Sequence, residues 1–237
     1  VEDPIEFLFR HKKSIVNQRE IGMDTLDWTA ALKNAMRQAP DCILIGEIRD
    51  KETMQAAIAY AQTGHMCLAT LHANNSYHAL NRIISFFPLE NRPALFLDLS
   101  VSLRAIISQR LTVKQDGKRT PACEVMLNTR HISELIERGE VSSIKEAMEQ
   151  TLAPGSQTFE QDLFRLYRDG KISLDEALTN ADSPTNLSWL INNSEITPSG
   201  GKHERRGDDA LEFDSTNSGG ASFKEFTLTL GDEDNER

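Results

Sequence analysis

Short apolar runs alternate with helically spaced stretches over the first half of the chain. Cys42–Gly46 reads C-I-L-I-G, a continuous apolar run of the kind found in parallel strands covered on both faces. His65–Leu71 is a second such run. Between them Lys51–Gln62 carries helical spacing, with Gly64 as a left-handed stop. Thr25–Gln38 predicts a helix: Asp24 or Thr25 caps it, Leu26, Ala30, Leu32 and Met36 recur along one face, and Pro40 forbids continuation. Ser76–Phe87 predicts another, halted by Pro88, and Leu95–Gln109 a further one on Leu95, Leu99, Leu103 and Ile106. Phe7–Phe9 and Ser14–Asn17 read as short strands joined through His11, Lys12 and Lys13, the two lysines being a solvated turn. Leu111–Lys114 and Ala122–Leu127 read as a hairpin across Asp116-Gly117, a dipeptide suited to positive φ. This alternation, up to about residue 127, predicts an α/β fold with a mostly parallel sheet and helical layers.

From Thr129 only short helical patterns remain: Thr129–Arg138, Ile144–Met148, Thr158–Arg168, Leu174–Asn180 and Leu187–Ile191, separated by Gly139, Pro154-Gly155, Gly170 and Pro184. The division expected is 1–128 for the α/β part, 129–192 for a helical subdomain and 193–237 for an acidic tail. The tail is rich in Ser, Gly, Asn and acids. Its 11 acidic and 5 basic residues give a net charge of −6. Such a segment buries too little apolar surface to offset its conformational entropy, so disorder is expected. Phe223–Leu230, F-K-E-F-T-L-T-L, alternates like a strand or a docking peptide, against the plainer reading of an apolar patch in the tail.

The 237 residues suffice for a sizeable core, and 39% hydrophobic content suits a globular chain with a polar appendage. No apolar run approaches the roughly 18–20 residues of a membrane span. Against 36 acidic residues stand 26 basic, a formal charge of −10 that argues against direct nucleic-acid binding, which needs a basic footprint. Cys42, Cys67 and Cys123 form no C-x-x-C pair, which speaks against a disulfide framework or zinc site and for a reducing compartment. Cys42 and Cys67 are expected as small hydrophobes in buried strands.

Polar residues gather at strand ends. In open α/β sheets the ligand lies beyond the carboxyl ends of the strands. Glu47 is placed there, and Gly46 before it leaves room for close backbone approach. The chain opens V-E-D-P-I-E-F with Glu2, Asp3 and Glu6, and His65 and His72 bracket the second apolar run. A core strand followed by a surface acid explains any one of these; three polar strand ends in succession are harder to dismiss. A phosphate-binding loop of the form G-x-x-x-x-G-K-[ST] does not occur. Gly200-Gly201-Lys202 is followed by His203 and has no strand before it. Val1 reads as the inside of a strand, so the expectation is the C-terminal part of a longer chain with the loop upstream.

These segments resemble a known family. V-E-D-P-I-E-F, I-L-I-G-E-I-R-D and T-G-H-M-C-L-A-T-L-H-A-N-N are similar to the Asp box, Walker B box and His box of the secretion and pilus ATPases, hexameric motors of type II secretion and type IV pili. The resemblance runs from Val1 to about Ile191. Asn17–Glu20, Ile107–Leu111 and Glu124–Met126 fit the type IV pilus retraction ATPases, the PilT/PilU family. Gln157–Phe159 through Ala181–Pro184 looks more like the PilU branch. Thr129–Val141 departs from the PilT wording A-I-R-N-L-I-R-E, with His131, Ser133 and Glu134 in place of its alanine, arginine and asparagine.

The resemblance implies a RecA-like P-loop NTPase core, incomplete over these residues, that hydrolyses ATP with Mg²⁺ to power pilus retraction and twitching motility. It implies a homohexamer at the cytoplasmic face of the inner membrane, working with a PilT-like retraction ATPase and a membrane platform protein. Glu47 would be the Walker B acid near Mg²⁺, reached through water, and Glu2 the Asp-box acid near the attacking water. Which acid is the base stays open. Asp3 and Glu6 would orient the box. His72 is the better candidate to sense the γ-phosphate, and His65 is expected inside the core. Arg49 reports nucleotide state or forms a structural ion pair. Arg19 and Arg82 are candidates for contacts between subunits. The alternatives are an assembly or secretion motor, disfavoured by the missing cysteine pairs in Thr112–Pro121, and a weakly catalytic accessory ring subunit supporting a PilT-like motor.

Overall fold

The computed structural model describes residues 1–151 and 153–194. The acidic tail and the Phe223–Leu230 segment lie outside them, apart from residues 193 and 194. Helices α1 (Trp28–Met36), α2 (Lys51–Gln62), α3 (Ser76–Ser85) and α4 (Arg92–Ser102) alternate with strands β1 (Cys42–Ile45) and β2 (Met66–Ala69). A long hairpin, β3 (Ala105–Val113) and β4 (Arg119–Leu127), leads into α5 (Arg130–Glu137), α6 (Ile144–Gln150), α7 (Phe159–Arg168), α8 (Leu174–Asn180) and α9 (Pro184–Asn193).

Among the described residues every α-helix except α4 and α6 starts at a side-chain cap. Asp50, the last residue of I-L-I-G-E-I-R-D, accepts from Thr53 N–H and begins α2. Asn75 accepts from His78 N–H and begins α3. Thr158 and Gln161 form a reciprocal capping box on α7, and Ser183 caps α9 with Pro184 in its first turn.

β1 and β2 pair in parallel, with Cys42 opposite Met66 and Ile45 opposite Ala69. Ile43 and Ile45 point into the helical layer and are buried, whereas Cys42 and Leu44 are exposed, as are Met66 and Leu68 across the sheet. The continuous apolar runs therefore have cover on one face only among the described residues, unlike the expectation of two. Cys42 is exposed and not a core thiol. Cys67 is half-buried; burial, with Cys42 nearby, pushes its thiol up to about 11.

Other expectations need correction. α1 starts three residues after Thr25, because Asp27 rather than Asp24 or Thr25 supplies the cap, and Leu26 is left 91% exposed. Asp24 instead accepts from Glu20 N–H in a turn. The helix expected over Leu95–Gln109 ends at Ser102, and the rest is strand. The run A-I-I-S-Q-R-L-T-V carries the β-branched Ile106, Ile107, Thr112 and Val113 and pairs in full with Arg119–Leu127, so a nine-residue ladder outweighs the helical spacing of Leu103 and Ile106. Phe7–Phe9 and Ser14–Asn17 form no strands, and Phe7, Leu8, Phe9 and Ile15 are exposed. Their backbone is held by side chains instead, as when Phe9 N–H donates to Gln18 Oε1 at 2.8 Å.

Two apolar clusters form the core. The larger gathers Leu32, Ile45, Ile58, Leu80, Leu99, Met126, Ile136 and Ile144, and so joins α1–α6 to β1 and β4. The smaller gathers Ala122, Phe159, Leu163, Leu166, Ile172, Ala177 and Leu187 around α7–α9.

Candidate functional site

Gly46 determines how the first residues of the chain meet β1. Its N–H donates to Val1 O at 2.8 Å, and a Cβ there would lie 3.1 Å from Glu2 Cα and 3.2 Å from Val1 O. Only a residue without a side chain leaves space for that backbone. The acidic opening segment thus lies beside the strand end that carries Glu47.

A line of polar groups extends from there. Glu47 Oε2 accepts from Arg49 Nε at 2.6 Å, and Glu47 Oε1 lies 2.9 Å from His72 Nε2. Arg49 also reaches Asp3, with Nη1 3.6 Å from Oδ2. The Glu47 side chain is 14% exposed, while His72 is 78% exposed. A partly sheltered carboxylate is therefore faced by a guanidinium on one side and an open imidazole on the other. The two loops carrying Glu47 and His72 are tied together by Ile48 N–H donating to Thr70 O at 3.0 Å, and by the Thr70 hydroxyl donating to Gly46 O. Both loops leave the carboxyl ends of parallel strands, the place where such sheets bind ligands.

Glu2 sits behind this line. Its Oε2 accepts from Gln18 Nε2 at 2.8 Å, and Glu2 also pairs through its backbone with Arg19 and Ile21. Gln18 further donates to Phe7 O and accepts from Phe9 N–H, and Glu20 accepts from Ile5 N–H at 3.0 Å. Gln18 and Glu20 thus hold the acidic segment in shape. Sequence reasoning did not assign them this part, although they lie in the N-Q-R-E stretch. Glu6 is exposed and outside the line. His65 is not with the others: it stands before β2, half-buried, with Nδ1 3.0 Å from the Thr63 hydroxyl. It is not a core histidine, because β2 begins only at Met66 and its first residue is open to solvent. The geometry brings Asp3, Arg49, Glu47 and His72 together, with Glu2 adjacent, and leaves Glu6 and His65 apart. Arg82 stays on its own helix, its guanidinium 5.8 Å from the Phe86 ring.

Among the described residues no cluster of three or more His, Cys, Asp or Glu side chains could hold a metal ion. No helix among them is long and apolar enough to cross a membrane.

Comparison with known proteins gives the family and the fold. The chain is 50% identical to the type IV pilus ATPase PilU of Pseudomonas aeruginosa, over 81% of this chain and 50% of that protein. It is 40% identical to the retraction ATPase PilT of the same organism, over 79% of this chain and 54% of that protein. Its backbone matches the crystal structure of the pilus retraction motor PilT with bound ADP at a TM-score of 0.72 and 40% identity, over 79% of this chain and 53% of that one. The chain spans about half the length of these curated relatives. The α/β fold and the resemblance to the PilT/PilU family, drawn from Asn17–Glu20, Ile107–Leu111 and Glu124–Met126 within the family the three boxes point to, both hold. With a model of the type II/IV secretion system proteins matching residues 1–179, the chain belongs to that family.

Proposed function

We propose that this chain supplies the acid and histidine side of an ATP site in a subunit of the hexameric motor that retracts type IV pili and drives twitching motility. The observation that carries the reading is the line Asp3–Arg49–Glu47–His72 at the carboxyl ends of β1 and β2. The relatives named above support it. The phosphate-binding loop would come from outside residues 1–237.

Phosphoryl transfer to water rests on positioning and electrostatic stabilisation. Glu47 is the residue that would hold Mg²⁺ through water. Mg²⁺ takes one or two carboxylates together with phosphates and waters rather than a protein cage, which suits a single sheltered acid. When bound, the ion neutralises charge on the phosphate oxygens. Glu2, beside Gly46, orients the attacking water, and Asp3 keeps Arg49 over Glu47. His72, bonded to Glu47 and open to solvent, can turn from the carboxylate to a phosphate oxygen and so report its presence. Glu6 and His65 stand apart and take no role in these steps. A homohexamer, a PilT-like partner ATPase, a membrane platform protein and a place at the cytoplasmic face of the inner membrane complete the proposal, with residues 1–128 as the RecA-like part and 129–192 as the helical one.

Glu47→Gln in the full protein tests this. The amide keeps the shape and removes the charge. ATP binding is expected to persist while turnover falls about 10²–10⁴-fold, the usual cost of losing a positioned acid–base group. Turnover near the wild-type rate would end the assignment.

A further inference from the structure

The loop that presents His72 is held from the far side by residues with no place in the proposed chemistry. Three successive residues after it each contact a different element. Asn74 O accepts from Arg110 Nη2 at 3.4 Å, from β3. The Asn75 side-chain amide donates to Asp182 Oδ2 at 2.9 Å, from the link between α8 and α9. Ser76 N–H donates to Glu124 Oε1 at 2.7 Å, from β4. Asn75 Oδ1 meanwhile caps α3 through His78 N–H at 2.9 Å.

Arg110 joins these contacts into one unit. Its guanidinium pairs with Asp182, donates to Asn180 O through Nη1 at 2.6 Å, and stacks 4.0 Å over the buried Phe159 ring. The planar fork can meet a carboxylate, two carbonyls and an aromatic face at once; an ammonium cannot. Both Arg110 and Asp182 side chains are about four-fifths buried, so these bonds are poorly screened by solvent.

We propose that Arg110 and Asp182 are positioning residues that clamp the Asn74–Ser76 segment to α7–α9, and thereby hold His72 against Glu47. The clamp makes the register of the C-terminal helices felt at the imidazole. A shift of the α8–α9 link moves Asp182, releases Asn75, and with it the start of α3 and the loop before it. The consequence for catalysis rests on the reading of His72 given above; the clamp itself does not.

Amide hydrogen exchange on the 237-residue chain, without nucleotide, tests the clamp directly. Asp182→Asn is close to isosteric and removes the charge; Arg110→Lys keeps the charge and removes the fork. Exchange at Ser76 and His78, whose N–H groups donate to Glu124 and to Asn75 Oδ1, is expected to rise roughly tenfold to a hundredfold in both variants, the effect of losing a charge-assisted hydrogen bond. Leu163 and Leu166 amides in α7 serve as the control for folding and are expected to stay protected. Exchange that rises only in α8 and α9, with Ser76 and His78 unchanged, overturns the clamp. In the full protein the same variants are expected to lower kcat with little change in KM for ATP. A loosened segment with unaltered kcat would leave the clamp standing and remove the catalytic part assigned to His72.

Discussion

At the scale of single residues, the two histidines that bracket the second apolar run separate cleanly. His72 meets a sheltered carboxylate at 2.9 Å, whereas His65 meets only the Thr63 hydroxyl at the opposite end of β2. His72→Ala is therefore expected to cut turnover of the full protein more than His65→Ala. Neither should lower the melting temperature by more than about 6 °C. An exposed hydrogen bond contributes about 0.5–1.5 kcal/mol net, and ~1 kcal/mol moves the midpoint about 2–4 °C at this size. Steady-state rates and thermal melts of both variants decide the matter; a greater catalytic loss in His65→Ala would exchange the roles. Gly46 gives a second residue-scale test. In Gly46→Ala the new methyl meets backbone of Val1 and Glu2, which cannot rotate away as a side chain would. Val1–Asp3 should be pushed from β1, with turnover falling roughly tenfold or more, as misplaced groups at a reacting centre do. A Gly46→Ala protein with normal turnover would show that the acidic segment is not held where its chemistry needs it.

At the scale of elements, much of the fold is legible in the sequence where local chemistry decides. Lys51–Gln62 and Leu174–Asn180 have the bounds their spacing predicts, because Asp50 and Ser173 are unambiguous caps and Gly64 and Pro184 punctuate the chain just beyond each helix. The pattern misleads where pairing decides. Ile106 and Ile107 have helical company in Leu99 and Leu103, yet they lie in a strand, since nothing local reveals a partner nearly twenty residues on. The site divides in the same way. Glu47, Glu2 and His72 are legible from strand ends, but Arg110 and Asp182, 72 positions apart, are not. β4 carries a further prediction. Along its buried face lie Ala122, Glu124 and Met126. Burial holds the Glu124 carboxyl above the usual range against its bond from Ser76 N–H, with the charges of Asp182 and Glu160 adding to the rise. A raised folded-state pKa means that the wild type loses stability as pH climbs from the unfolded value of about 4.3 through the folded one. Glu124→Gln keeps an acceptor for Ser76 and removes that titration. Its melting temperature relative to wild type should rise as pH climbs above the unfolded value of about 4.3; a difference that is flat or falls with pH would mean the buried carboxylate is offset by a cation.

At the scale of the whole described body, β4 also determines how the two apolar clusters relate. Ala122 belongs to the smaller and Met126 to the larger, and both project from one face of a single strand with Glu124 between them. α7 is fastened to that strand by more than apolar contact. Cys123 N–H donates to the buried Asp162 carboxylate at 2.8 Å, and Val125 and Gln157 exchange backbone bonds at 2.9 and 3.0 Å. Asp162 in turn takes both Arg165 Nε and Nη2, so the charge beneath β4 is paired. Clusters that share a strand, and are bonded across it, cannot melt one at a time without leaving these buried groups unpartnered, which costs about 1–3 kcal/mol for each. Phe159→Ala is the sharpest probe. It empties the centre of the smaller cluster and takes the stacking face from Arg110, at an expected cost of about 3–5 kcal/mol. Calorimetry should show a single transition at lower temperature, with near-native secondary structure lost throughout rather than in α7–α9 alone. Two resolved transitions, the first confined to the C-terminal helices, would mean that β4 belongs to the larger cluster and merely lends the smaller one a surface. The C-terminal helices would then be free to open while the rest stays folded, and the clamp on the His72 loop would be a contact made and broken rather than a fixed support.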